Sequence, residues 1–178
     1  MGMDAKKLSA RLKQPGHDQT YRKSEGEFVR ALEAIFPADE YVIKDHPSDL
    51  ESMLSGRFGI KPEASLTYKP TGRTMYFEVK KQGPNGNADE RACKHHTVQF
   101  YKSLAEFTGY SYHAFVTIMC ENLATDDRYV IKHPYYYEPD HYYLWSDYTD
   151  LEDLGLFLVG LSQKFLEGEE PSKRVVPE

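Results

Sequence analysis

The 178-residue sequence is poor in cysteine, with two, and in tryptophan, with one. Two thiols, Cys93 and Cys120, do not make a disulfide framework, and they read as reduced, buried side chains. His95 and His96 follow Cys93, but the remaining ligands of a zinc site are missing at any familiar spacing. No run of about 18 apolar residues occurs, so no membrane span is expected. The stretch Met1-Gly2-Met3-Asp4-Ala5-Lys6-Lys7 lacks the apolar centre of a secretory signal. Internal repeats and linker-like composition are missing too. So is a basic excess: Lys and Arg number 22 against 28 Asp and Glu, a formal net charge of −6. Nucleic-acid binders usually carry a basic footprint. Any such role must then rest on how charge is distributed rather than on its total.

What is present fits one compact domain spanning residues 1–178. Hydrophobic residues make up 40% and charged residues 28%, ordinary for a folded protein with a sizeable core. Basic residues gather early, at Lys6, Lys7, Arg11, Lys13, Arg22 and Lys23. They read either as a basic arm over 1–23 or as a solvated helix. Acids gather late, at Asp140 to Asp153 and Glu167 to Glu170. The tail 167–178, with Pro171 and Pro177, is expected to fray.

The chemistry-bearing residues lie in the middle. Thr74 to Lys80 alternates and is rich in aromatic and β-branched residues, which predicts a strand. Met75, Phe77 and Val79 then share one face, and Tyr76, Glu78 and Lys80 the other. A second strand is predicted over Ala64–Tyr68, with Lys69-Pro70-Thr71-Gly72-Arg73 as the hairpin loop. Such a hairpin brings Glu63, next to Pro62, alongside Glu78 and Lys80. Two carboxylates can hold Mg²⁺, which takes its other ligands from water and phosphate. A lysine beside them can orient the attacking water and offset charge on a phosphate. The competing reading of Glu78 and Lys80 is a solvated surface pair, worth little.

A second string follows: Gly86-Asn87-Ala88-Asp89-Glu90-Arg91. Beyond it Cys93, Thr97, Phe100, Leu104 and Phe107 recur at spacings of four and three, which predicts one helix of about five turns. Asn87 and Glu90 have capping-box spacing at its start. Arg91 is an odd choice there, because cations are disfavoured at a helix N-terminus. Reading base edges would account for it: Arg pairs with guanine and Asn with adenine. Lys94 adds charge to the same helix.

These residues together carry a resemblance. Pro62-Glu63, Glu78-Val79-Lys80 and Gly86 to Arg91, in this order and spacing, resemble the EcoRI/MunI group of type II restriction endonucleases. Phe58 to Pro62 and the tyrosine-rich stretch Tyr135–Trp145 extend the likeness to about two-thirds of the chain. The resemblance implies an α/β fold, a restriction-endonuclease-like mixed sheet flanked by helices. It implies a homodimeric, Mg²⁺-dependent enzyme that cuts both strands of a short palindrome in double-stranded DNA. Glu63 and Glu78 are then metal ligands, and Lys80 positions the water. Asn87, Ala88, Glu90 and Arg91 read a central AATT, with Glu90 and Arg91 held in one buried network. One departure stands out: the group's usual first acid is Asp, and this chain has Glu63. The setting is the prokaryotic cytoplasm, with a cognate DNA methyltransferase on the same site left open as a partner. Two alternatives remain at this point. One is a repair or recombination nuclease with the same metal core. The other is a sequence-specific DNA-binding protein whose active site has decayed.

Further elements are expected. A helix over Ser24–Phe36 presents Phe28, Ala31, Leu32 and Ile35. Short strands are expected at Tyr41–Lys44, Tyr112–Cys120, Asp126–Lys132 and Tyr142–Trp145. A short helix is expected at Pro47–Leu54, and a terminal helix at Thr149–Phe165. The tyrosines 135–137, 142 and 143 are read as packing residues rather than base-stacking ones, since acids surround them.

Overall fold

The structure, a computed structural model, describes residues 2–13, 26–110 and 114–168. Five strands form one sheet in the order β1-β2-β3-β4-β5. They are β1 (Tyr41–Asp45), β2 (Ala64–Tyr68), β3 (Arg73–Gln82), β4 (Phe115–Glu121) and β5 (Tyr142–Trp145). The first three run antiparallel to their neighbours, while β3, β4 and β5 run parallel. This is the mixed sheet the sequence implies, and the parallel step from β3 to β4 needs the helical crossover between them.

The helices in chain order are α1 (Ala5–Leu12), α2 (Glu27–Ile35), α3 (Ala88–Ala92), α4 (Val98–Thr108), α5 (Asn122–Thr125), α6 (Asp127–Val130), α7 (His133–Tyr136) and α8 (Leu151–Leu161). The apolar stripe of α2 does what its spacing predicts: Phe28, Ala31, Leu32 and Ile35 are all buried. Phe28 meets Phe77 with ring centroids 5.1 Å apart and Trp145 at 6.0 Å. That contact locks the helix onto the face of β3 opposite Glu78. Asp150 caps α8, accepting from the Asp153 amide at 3.2 Å. Leu151, Leu154, Leu158, Leu161 and Phe165 are buried as the periodicity requires. Gly155 lets α1 approach, since a methyl group there would lie 2.8 Å from the Leu8 side chain.

Three expected elements differ. Pro47–Leu54 contains turns rather than a helix, ending in a tight bridge between Leu54 and Phe58. Asp126–Lys132 is helical, not a strand, because the Asp126 carboxylate accepts from the Arg128 amide at 3.0 Å and starts a turn. The long helix after Asn87 is two helices. A 3₁₀ turn over Cys93–His95 ends the first, and Thr97 caps the second through its hydroxyl, 3.1 Å from the Phe100 amide. Thr97 thus starts a helix instead of lining a stripe, and Phe107 is 45% exposed. Cys120 is buried and Cys93 half-buried, both as free thiols. Among the described residues no helix is long and apolar enough to cross a membrane. The described part of the basic N-terminal segment is α1, packed on the core through Leu8. Its Arg11 donates to the Ala34 and Glu33 carbonyls at the end of α2, each at 2.9 Å. Arg22 and Lys23, and the tail beyond residue 168, lie outside the described residues.

Candidate active site

The hairpin register decides the site. Ala64 pairs with Phe77 across the antiparallel β2–β3 ladder. Glu63, one residue before Ala64, therefore stands beside Glu78, one residue after Phe77. Lys80 is two residues on and shares the face of Glu78. Its ammonium lies 3.0 Å from Glu78 Oε1, and both side chains are mostly shielded from solvent. All three residues that the sequence singles out are thus brought together at one end of the hairpin.

The electrostatics of Glu63 are informative. Burial is the main reason its carboxyl holds its proton more tightly than usual, and the negative charge of Glu78 adds to this. His46 and Lys81 pull the other way. Neither cation is evident as a site residue from sequence. His46 follows β1 and stands in left-handed backbone at φ 47°, a region that His tolerates better than most side chains. Its amide donates to the Glu63 carbonyl at 2.9 Å. Its ring places Nδ1 2.7 Å from Asp45 Oδ1 and Nε2 3.9 Å from Glu63 Oε2. Lys81, on the opposite face of β3, lies 3.9 Å from Glu27, a buried acid of α2. Only the strand register, invisible in a single sequence, joins these residues to the site. Among the described residues no three His, Cys, Asp or Glu side chains gather as a metal site. Glu63 and Glu78 are cross-strand neighbours, and the charge of Asp45 also bears on Glu63.

The Gly86–Arg91 string leaves the end of β3 and opens α3. Asn87 occupies the cap position but makes no capping hydrogen bond, so the capping box is not formed. Gln82 substitutes, its Oε1 accepting from the Ala88 amide at 3.2 Å while its Nε2 donates to the Asn85 carbonyl at 2.5 Å. Asn87, Glu90, Arg91 and Lys94 are exposed. Ala88 and Ala92 are buried in a small second core with Met119, Leu123, Tyr129 and Tyr137. The buried Glu90–Arg91 network expected from sequence is not formed; Glu90 is over half exposed and lies 3.8 Å from Lys132 instead. Of the tyrosines, Tyr137 packs in that second core, while Tyr135 is 85% exposed.

Comparison with known proteins bears on the family and the fold. A family model described as type II restriction enzyme MunI matches residues 54–167. A solved crystal structure, MunI restriction endonuclease in complex with cognate DNA, shares the fold with a TM-score of 0.66 and 19% identity. The match covers 85% of this chain and 91% of that one. A search of curated proteins gave no match.

Proposed function

The chain belongs to the family of the type II restriction enzyme MunI, and we propose on that footing that it hydrolyses double-stranded DNA, with Mg²⁺, at a short palindrome centred on AATT. The observation that carries the reading is the hairpin register that sets Glu63 beside Glu78, with Lys80 at 3.0 Å from Glu78. Two neighbouring carboxylates suit a hard cation that fills its shell with water and phosphate oxygens. Glu63 and Glu78 would hold the ion, which when bound polarises the phosphate and makes a water more acidic. The ammonium of Lys80 then turns from Glu78 toward the attacking water and offsets charge building on the phosphate.

Sequence reading falls to the exposed residues just beyond the catalytic strand. Asn87 offers its amide to an adenine edge, Arg91 donates to a purine N7, and Glu90 accepts from a base amino group. Lys94 adds positive charge one helical turn on, and Ala88 seats the segment by its burial. Cutting both strands of a palindrome needs two such sites related by a two-fold axis, hence a homodimer. The place of action is the prokaryotic cytoplasm, and a methyltransferase modifying the same site would protect the host DNA.

The test is cleavage of plasmid DNA with Mg²⁺ or with a chelator. Wild type should cut only with the metal. Glu78→Ala and Lys80→Ala should each lose at least about 100-fold in rate, the scale of removing one preorganised electrostatic group, while still binding DNA. Undiminished cutting by either variant would remove the assigned roles.

A further inference from the structure

Behind the exposed residues of the Asn87–Arg91 segment lies a brace from a distant part of the chain. The Tyr129 hydroxyl donates to the carbonyls of Gly86 at 3.3 Å and Pro84 at 3.5 Å. The Tyr137 hydroxyl donates to the Asp89 carbonyl. Between these two clamps stands Lys132. Its Nζ is 3.0 Å from Asp89 Oδ2 and 3.8 Å from Glu90 Oε1. Asp89 is fully buried and Glu90 is not: their side chains are 0% and 56% exposed. A buried carboxylate needs a cation, so Lys132 is anchored from behind. The same ammonium, itself one-third exposed, reaches round to the acid on the outer surface.

We propose that Lys132 is a specificity-positioning residue, tethered by the buried Asp89 so that its ammonium fixes the Glu90 carboxylate for reading a base amino group. This rests on the reading that the segment faces DNA. The physical reason is preorganisation. A glutamate on a surface helix samples many rotamers, and freezing it on binding costs affinity. An ammonium already held by Asp89 restricts those rotamers before DNA arrives. Glu90 also gains a defined charge partner, so it repels phosphate less than a bare carboxylate would.

The competing role for Lys132 is a phosphate contact, and the two roles have different signatures. A phosphate contact strengthens binding to all sequences alike and adds to the salt dependence. A positioning residue changes the ratio between sequences. The experiment uses the full chain in a Glu78→Ala background, in the presence of a chelator so that the duplexes stay intact. Anisotropy is measured on the duplex this parent selects from a random pool and on a duplex of scrambled centre. Lys132→Met should lower the affinity ratio about tenfold, the scale of one lost base contact. Lys132→Arg, which can still reach both acids, should stay within a few-fold of the parent ratio. Asp89→Asn combined with Lys132→Met removes the buried charge, so it should melt near the parent temperature and still show the lowered ratio. A parent ratio retained by the double variant overturns the proposal. So does an equal loss on both duplexes with a shallower salt dependence, which would make Lys132 a phosphate contact. A parent that binds both duplexes equally overturns the base-reading role of the segment and this proposal with it.

Discussion

Glu63 is where this chain departs from the pattern it resembles, and His46 is its neighbour on two sides. Its backbone carbonyl is held by the His46 amide and its carboxylate is faced by the His46 ring. Ala64 beside it is paired with Phe77 in the ladder, which fixes the backbone from which the Glu63 side chain departs. Glu63→Ala should abolish cleavage, and Glu63→Asp should cut measurably, within about 100-fold of wild type. Single-turnover rates on one duplex check both. An active Glu63→Ala would mean that another carboxylate takes its place, and Asp45, 2.7 Å from His46 Nδ1, is the first to examine. At this scale the sequence is highly informative. Glu63, Glu78 and Lys80 are legible because strand alternation and a Pro-Gly hairpin loop fix their relative places locally. His46 and Lys132 are not, because each reaches the site or the reading segment through pairing or packing of residues far apart in the chain, and Lys81 is not, because strand alternation turns it to the face opposite Lys80.

Among the elements, the approach to the catalytic strand is the most tightly constrained. The turns over residues 47–58 close with the Ile60 amide donating to the Leu50 carbonyl at 3.1 Å. A Cβ at Gly59 would sit 1.8 Å from that same carbonyl oxygen. The backbone here approaches backbone, and only glycine leaves room. Gly59→Ala should push the 59–63 strand lead-in away, destabilising by about 1–3 kcal/mol as overpacking does. At this chain length that lowers the melting temperature by roughly 2–4 °C per kcal/mol. Cleavage should fall with it, because Glu63 lies four residues on. A variant that melts and cuts like wild type would show that this close approach is dispensable. Two of the elements that sequence misplaces share one cause: a short polar side chain decides the local structure against the wider pattern. Asp126 starts a turn where Tyr129-Val130-Ile131 suggest a strand. The Thr97 hydroxyl restarts a helix in the middle of a continuous 3-4 pattern. Gln82, five residues before Asn87, accepts from the Ala88 amide in place of the capping expected of Asn87. That substitution leaves the Asn87 amide out of the helix cap, which suits a residue proposed to read bases.

For the whole molecule, charge is the feature hardest to reconcile with DNA from composition alone. A chain of net charge −6 binds a polyanion only if its acids are neutralised or turned away. Asp89 is paired with Lys132, Glu27 with Lys81, and Asp140 with Lys164 at 2.5 Å; these pairs localise charge without changing the total, so the distribution of the remaining cations decides the matter. Two chains of 20.6 kDa should run as a dimer of about 41 kDa by light scattering, free and on DNA, since one catalytic centre per chain serves one strand. A monomer in both states would remove the symmetric cutting model. The most direct test of the central claim is to digest plasmid DNA with the wild-type protein and Mg²⁺ and to sequence the ends. The account predicts discrete double-strand breaks at one palindromic sequence centred on AATT, with the two strands cut at symmetry-related positions. Breaks scattered over unrelated sequences, or nicks confined to one strand, would contradict it.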